Sequence, residues 1–149
     1  MTASAISLMK PLVSVLADTY ALAVKTHGAH WNVTGSGFFQ LHDAFASQYD
    51  ALFEAADDLA ERIRALGESA PAGIHALAKL ASVGDLGHQH DGHALAKALR
   101  DDHRALAKIC EKARAIAEKA SDEVTVDMMI GRIEAHEKTA WMLDAYSTK

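Results

Sequence analysis

Two histidines beside a glycine-containing segment are the first residues of this sequence whose types and spacing could bind a metal. His30 and His42 flank residues 32–37, where a turn can fold back and bring both imidazoles to one place. Further along the chain, Asp57 and Glu61 are four residues apart, so their carboxylates lie on one face of a helix. Neutral imidazoles and carboxylates together suit first-row divalent metals, including iron(II).

The remaining histidines give weaker indications of function. His88, His90 and His93 fall in a turn-rich segment that could bind a metal, but we interpret it as a solvated turn followed by a helix start. His27 and His103 lie on or near apolar stripes, where partly buried histidines with hydrogen-bond partners are expected.

Helices must position these groups, because apolar residues recur every three or four positions. A first helix is predicted with Pro11 in its first turn and its end near Trp31. A second helix, about 43 Å long, is predicted over residues 38–66, and Gly67 ends it as a C-terminal cap. Its apolar stripe comprises Phe38, Leu41, Phe45, Tyr49, Leu52, Ala56, Leu59, Ile63 and Leu66.

A long connector follows over residues 68–92 and contains turn-forming Pro and Gly residues. A short helix is predicted inside it, over residues 74–83, because a structureless connector of this length is unusual within a compact domain. A third helix is predicted over residues 93–120. Its inward side chains are expected to be Leu95, Leu99, Leu106, Ile109, Ala113 and Ile116.

A fourth helix is predicted from a cap at Ser121 or Asp122 to Tyr146. Its inward side chains are expected to be Val126, Ile130, Ile133, Ala140 and Leu143. Four long helices with a long second connection predict an all-α fold: a ferritin-like four-helix bundle whose crossover carries a short helix. We expect one domain over residues 1–149.

The spacing of the candidate ligands limits how they could share a metal. His42 and Asp57 are 15 positions apart on one predicted helix, which places them about 22 Å apart along its axis. Metal–ligand bonds are only about 2 Å long, so these residues cannot hold one ion within a single chain. Either the two pairs are unrelated, or two chains pair so that the histidines of one face the carboxylates of the other.

Composition narrows the class of protein. A net charge of −5 disfavours nucleic-acid binding, and no stretch approaches the roughly 18 apolar residues expected of a membrane span. The single cysteine, Cys110, cannot form an internal disulfide and is expected to be a small buried hydrophobe in a reducing compartment. We therefore expect a cytoplasmic protein without a membrane partner.

Three blocks of the sequence have a specific pattern: Lys25 to Gly35, Phe38 to His42, and Asp57 to Gly67, with a further stretch from Ala135 to Leu143. They resemble the Dps family, the mini-ferritins of starved bacteria, and the likeness covers nearly the whole chain. The resemblance implies a hollow dodecamer built from two-fold dimers, with a ferroxidase site across each dimer interface. It implies oxidation of Fe²⁺, preferably with hydrogen peroxide, and storage of an Fe³⁺ mineral.

Matched position by position, the resemblance assigns the iron ligands to His30, His42, Asp57 and Glu61, and a role in trapping oxidising equivalents to Trp31. It differs at Ala46, where the family usually has Asp or Glu four residues after the second histidine. Weaker binding of a second iron is expected there. The nearby carboxylates of Asp43 and Asp50 follow on the same predicted helix, and that of Asp50 could partly substitute.

The resemblance also assigns Asp122 and Asp127 to an acidic three-fold pore for cation entry. Gly131 stands where another acidic residue is usual, so the pore is expected to be less acidic. Direct DNA binding is expected to be weak, because only Lys10 precedes Lys25 and a twelve-chain shell would carry a charge of about −60.

Two other functions compete with this one. A ferritin, bacterioferritin or di-iron oxidase would need Glu-x-x-His motifs on facing helices, and no histidine here follows a glutamate by three residues. A shell that coats DNA around a vestigial metal site is favoured by Ala46 and opposed by the negative charge.

Overall fold

The computed structural model describes residues 3–148 of the chain, with side chains from residue 7 onward. Within that part the chain is all-helical, which confirms the predicted class. The helices are α1 (Ala3–Asn32), α2 (Phe38–Ala65), α3 (Ile74–Leu80), α4 (Gly92–Lys119) and α5 (Glu123–Ser147). α1 packs against α2, α4 packs against α5, and α1 also contacts α4, so the four long helices form one bundle.

The connection from α2 to α4 crosses the length of the bundle. Backbone hydrogen bonds join Thr34, in the turn before α2, to His90 and Gly92 at the start of α4. Both helices therefore start at the same end, while α2 runs for 28 residues, about 42 Å, to the other end. The connector has to return over this distance, and α3 packs on α1 along the way.

The core is a continuous set of aliphatic side chains from all four long helices, with Phe45 as its buried aromatic residue. The inward prediction for α4 holds for Leu95, Leu99, Leu106 and Ala113. On α5, Ile130 is 48% exposed, and Met129 is buried in its place. Apolar side chains occur on more than one side of α5, so their spacing did not distinguish the core face.

The first helix begins earlier than predicted. Pro11 was expected in the first turn, but α1 starts at Ala3 and Pro11 lies inside it. Proline weakens a helix by removing a backbone donor. Here Leu8 and Leu12, on either side of Pro11, are both buried in the core, so tertiary packing stabilises the helix on both sides of the proline.

The short helix, α3, ends at Leu80 rather than at residue 83 as predicted, because a buried carboxylate accepts hydrogen bonds from backbone amides just after it. Asp18 of α1 is fully buried. Its Oδ1 accepts hydrogen bonds from the amides of Ser82 (2.5 Å) and Val83 (2.9 Å), and its Oδ2 accepts one from Ser82 Oγ (2.8 Å). These bonds hold the chain extended after α3 and fasten the connector to α1.

One helix of the described chain, over Ser7–Asn32, is long and apolar enough to cross a membrane, with a mean hydropathy of 1.2. The expectation that no segment approaches this limit was therefore wrong. Half of that window is buried inside the bundle, and Asp18, Thr19 and Thr26 are fully buried within it. α1 is thus apolar because it is a core helix.

Candidate metal centre

The turn between α1 and α2 brings His30 and His42 together. His30 lies in the last turn of α1 and His42 in the second turn of α2. The reversal uses Gly35 (φ +94°) and Gly37 (φ +77°), left-handed conformations that cost glycine little. The two imidazole rings stack with their centroids 3.7 Å apart and their planes at 22°.

Reciprocal hydrogen bonds determine which nitrogen of each ring carries the proton. His30 Nδ1 lies 2.8 Å from the carbonyl oxygen of His42, and His42 Nδ1 lies 2.9 Å from that of His30. A carbonyl oxygen only accepts, so each Nδ1 is protonated and donates. With Nδ1 carrying the proton, the neutral form of each ring has its lone pair on Nε2, the form in which imidazole binds a metal. This donor pair fits Fe²⁺.

Aromatic side chains surround the histidine pair. Trp31, next to His30, is 67% exposed, and the ring of His27 lies 4.1 Å from it. Tyr49 lies 4.2 Å from the His27 ring and 5.4 Å from the His30 ring, measured between centroids. Its position on the stripe of α2 had indicated only packing. Its spacing of seven residues from His42, two helical turns, could have shown that it faces the same site.

The carboxylates lie elsewhere in the same chain. Asp57 and Glu61 are both exposed on α2. His42 and Asp57 are 15 positions apart on this continuous helix, which places them about 22 Å apart along its axis. Within residues 3–148, no group of three or more His, Cys, Asp or Glu side chains is arranged to hold a metal. A shared site would need a second chain, as the spacing predicted.

Ala46 occupies the position four residues after His42, where the sequence comparison with the family leads one to expect a third carboxylate. Ala46 is half-buried one turn after His42, while Asp43 and Asp50 are exposed on the same helix. Ala46 offers no oxygen donor at this position.

The two aspartates assigned to a pore have different surroundings. Asp122 caps α5 by accepting a hydrogen bond from the Thr125 amide (3.1 Å), and it forms a salt bridge with Arg62 (2.7 Å). Burial opposes ionisation of Asp122, but the hydrogen bonds from Thr125 and Arg62 outweigh it and lower its pKa. Asp127 is exposed one turn further on. Asp122 is the cap that the sequence proposed, and Arg62 compensates its charge.

The other histidines range from exposed to fully buried. His88 and His90 are exposed, and His93 stacks on Tyr146 with ring centroids 4.8 Å apart. His27 is half-buried, as expected. His103 differs from the expectation, because it is 2% exposed and its Nε2 atom has no hydrogen-bond partner.

Cys110 is buried, as predicted, and burial raises the pKa of its thiol to about 12, which keeps it protonated and unreactive. Of the phenylalanines, Phe45 is buried and Phe53 half-buried, whereas Phe38 and Phe39 are exposed beside the histidine pair.

Comparisons with known proteins agree with the fold. Residues 9–149 match the family model for the ferritin-like domain. The DNA protection during starvation protein of Porphyromonas gingivalis is 39% identical over 144 residues, which cover 95% of this chain and 89% of that protein.

Solved structures give the same result. The Dps protein from Bacillus brevis has a TM-score of 0.95 at 31% identity, covering 99% of both chains. The Dps protein from Vibrio cholerae O1, described as a member of a broad superfamily of ferritin-like diiron-carboxylate proteins, has a TM-score of 0.93 at 30% identity, covering 97% of this chain and 91% of that one. With the bundle, its crossover and this likeness over almost its whole length, the chain belongs to the Dps family of ferritin-like proteins.

Proposed function

We propose that this protein is a ferroxidase and iron-storage mini-ferritin. Iron is its substrate and its cargo: Fe²⁺ is oxidised, preferably by hydrogen peroxide, and the Fe³⁺ product is stored as mineral inside a hollow shell, expected to have twelve chains. The observation that carries this proposal is the stacked His30–His42 pair, whose hydrogen bonds leave both Nε2 atoms as metal ligands. The names of the relatives, which refer to DNA protection and diiron-carboxylate proteins, support it.

The site is proposed to form between two chains. His30 and His42 of one subunit would bind iron together with Asp57 and Glu61 of its neighbour, and a two-fold axis would create two such sites. The outer surface of α1 and α3 supports this pairing, because both helices expose large apolar side chains. They are Val24 (47% exposed), Trp31 (67%), Ile74 (65%) and Leu80 (47%). Exposed apolar groups of this size are typical of subunit interfaces.

The chemistry needs neutral ligands, negative charge and an oxidant. The imidazoles hold Fe²⁺ and the carboxylates offset its charge as it rises. Two Fe²⁺ ions each give one electron to one hydrogen peroxide molecule, whose O–O bond breaks. With two waters the products are two FeO(OH) and four protons. Trp31, largely exposed beside the site, is placed to donate an electron to a stray oxidant.

Removal of a ligand should slow oxidation without preventing assembly. We expect His30→Ala and Asp57→Ala each to lower the peroxide-dependent oxidation rate by at least about tenfold, since metal affinity depends steeply on each ligand. Stopped-flow absorbance would measure the rate, with light scattering to show that shells still form. His75→Ala, at an exposed position of α3, is the matched control. Unchanged rates in both ligand variants would contradict the assignment.

Mixing the two variants tests whether the site lies between chains. In a two-fold dimer of one His30→Ala chain and one Asp57→Ala chain, one site lacks both residues and the other is intact. Random co-assembly makes half of the dimers mixed, so roughly a quarter of the wild-type sites should return. If each pair acts within its own chain, mixing restores nothing.

Protection of DNA is proposed to be indirect. Removal of Fe²⁺ and peroxide together eliminates the reagents of hydroxyl-radical formation, and this needs no contact with DNA. We propose a bacterial cytoplasmic location. A DNA-coating shell with a vestigial metal site is the second candidate, favoured by the missing carboxylate at Ala46. Retardation of DNA by a protein that shows no peroxide-dependent iron oxidation would favour it.

A further inference from the structure

A cavity of about 330 Å³ lies between α2, α4 and α5, away from the His30–His42 turn. Its polar lining side chains include Gln48, His103, Arg132 and His136, and no carboxylate lines it. His136 is fully buried and His103 is 2% exposed. Three polar atoms of this lining are buried without a hydrogen-bond partner: His103 Nε2, Arg132 Nε and Gln48 Oε1.

A chain of hydrogen bonds determines where the protons are. Arginine only donates, so the Arg132 Nη2 atom, 3.2 Å from His136 Nε2, donates to an unprotonated nitrogen. The proton of neutral His136 is therefore on Nδ1, which donates to His103 Nδ1 at 2.9 Å. His103 must then carry its own proton on Nε2. The unpartnered Nε2 of His103 is thus an N–H donor, like the unpartnered Nε of Arg132.

Both imidazoles are neutral, as this series of hydrogen bonds requires. Burial, reinforced by the charge of Arg132, lowers the pKa of His103 to about 4. Burial, with the neighbouring His103 and Arg132, lowers the pKa of His136 to about 2. The guanidinium of Arg132 is then the positive charge of the cluster.

Arg132 forms no salt bridge within the described chain. It also lines a neighbouring cavity with the carboxylates of Asp58 and Asp127, and the charge of Asp58 acts on it without pairing directly. No carboxylate faces it across the cavity between α2, α4 and α5. Burial lowers the pKa of Arg132, as expected for a cation that has lost part of its hydration. A partly buried charge without a directly paired counter-ion is costly, so a ligand that supplies the opposite charge would be stabilising.

We propose that this cavity is a binding site for a small inorganic anion, such as a halide or a compact oxoanion. The anion accepts hydrogen bonds from Arg132 Nε and His103 Nε2 and offsets the guanidinium charge. A metal cation is disfavoured because Arg132 repels it and, among the described residues, no third His, Cys, Asp or Glu side chain joins the two histidines to form a metal site. Water satisfies the hydrogen bonds but gives the guanidinium no paired counter-ion. The volume is about eleven times the roughly 30 Å³ of one water, so it has room for a compact anion together with water.

Bromide soaking of crystals of the assembled wild-type protein tests the site directly. We expect an anomalous peak within hydrogen-bond distance of Arg132 Nε and His103 Nε2. Ordered water without anomalous signal at this position, in crystals that bind bromide elsewhere, would overturn the proposal for halides. In a parallel phosphate soak, water in place of phosphate density at this position would overturn it for oxoanions. Density for either anion supports the proposal and shows which class is preferred.

Thermal unfolding at constant ionic strength gives an independent test. Replacing gluconate by chloride or inorganic phosphate should raise the Tm by about 2–4 °C once the anion reaches about five times its Kd. Gln48→Glu places a carboxylate in the cavity and should abolish this rise, and Arg132→Gln should do the same. Arg114→Gln, which removes an arginine paired with Glu118 on the surface of α4, is the control and should keep it. Equal rises in the wild type and both cavity variants would refute the site.

Discussion

At the residue scale, the backbone determines how the histidines of the proposed iron site can act. His30 and His42 each donate from Nδ1 to the other's main-chain carbonyl, so the same turn that joins α1 to α2 orients both Nε2 atoms. The ligands are thereby held in the correct tautomer before any metal arrives. Iron binding then needs little reorganisation on this side, and the missing oxygen donor at Ala46 becomes the weak point.

Restoring that donor should strengthen iron binding. Ala46 is one turn after His42 on α2, so Ala46→Asp would place a carboxylate on the same face as the imidazole. We expect Fe²⁺ affinity to rise by about tenfold, from the added charge and oxygen ligand. Anaerobic isothermal titration would measure it, and Ala98→Asp, which adds the same charge at an exposed position of α4, is the control. An unchanged affinity would rule out this role for the position.

The buried His103–His136 pair should make stability depend on pH. Their pKa values are lowered to about 4 and about 2 in the folded chain, against about 6.5 when unfolded. At a pH between the folded and unfolded pKa values, the unfolded chain binds protons that the folded chain does not. The contribution of the pair to the free energy of unfolding is fully present above about pH 6.5. It falls on acidification, by up to about 1.4 kcal/mol per pH unit for each histidine.

Urea unfolding at fixed protein concentration between pH 7 and 5 would measure this slope, in a range where most carboxylates remain ionised. His103→Asn should lower the slope by about 1.4 kcal/mol per pH unit, which corresponds to one proton fewer taken up on unfolding. His75→Asn, at an exposed histidine, should leave the slope unchanged. A wild-type stability that does not fall toward pH 5 would show that the pair is not buried as a neutral unit.

At the element scale, α3 and the connector depend on Asp18. Among the described residues α3 has one buried side chain, that of Leu77, so its own packing is slight. The three hydrogen bonds accepted by Asp18 from Ser82 and Val83 fix where the connector leaves α3. This segment carries Ile74 and Leu80 on the apolar surface proposed for subunit pairing, so its position bears on assembly.

Asp18→Ala should lower the free energy of unfolding by about 2–3 kcal/mol, because two backbone amides and one hydroxyl lose a charged acceptor. Asp18→Asn keeps an acceptor at Oδ1 and should lose less. Urea unfolding would give the stability, and amide hydrogen exchange at Val83 would show whether the connector detaches locally. If the alanine variant matched the wild type in both measurements, the connector would not depend on this carboxylate.

At the scale of the whole molecule, charge governs the approach of DNA. Each chain carries −5, so the proposed twelve-chain shell would carry about −60 and would repel phosphate. We expect no retardation of duplex DNA in a mobility-shift assay at about 0.15 M salt. A variant with an added lysine-rich N-terminal extension is the positive control and should retard it. Retardation by the unmodified protein would show that local positive surface outweighs the net charge.

The sequence by itself determined what depends on neighbours along the chain. Periodic apolar residues placed the four long helices, and the residue type of Asp122 identified it as a possible cap of α5. The spacing of 15 positions between His42 and Asp57 excluded a shared ion in one chain. These features follow from helix geometry alone, because residues three or four positions apart are neighbours in any helix.

Only the tertiary structure decided what depends on residues distant in sequence. The proton positions on His30 and His42, the early end of α3 at Asp18, the burial of Met129 rather than Ile130, and the unpaired donors of His103 and Arg132 all come from contacts between elements. Burial and desolvation are set by whatever packs across the bundle, so no local pattern contains them.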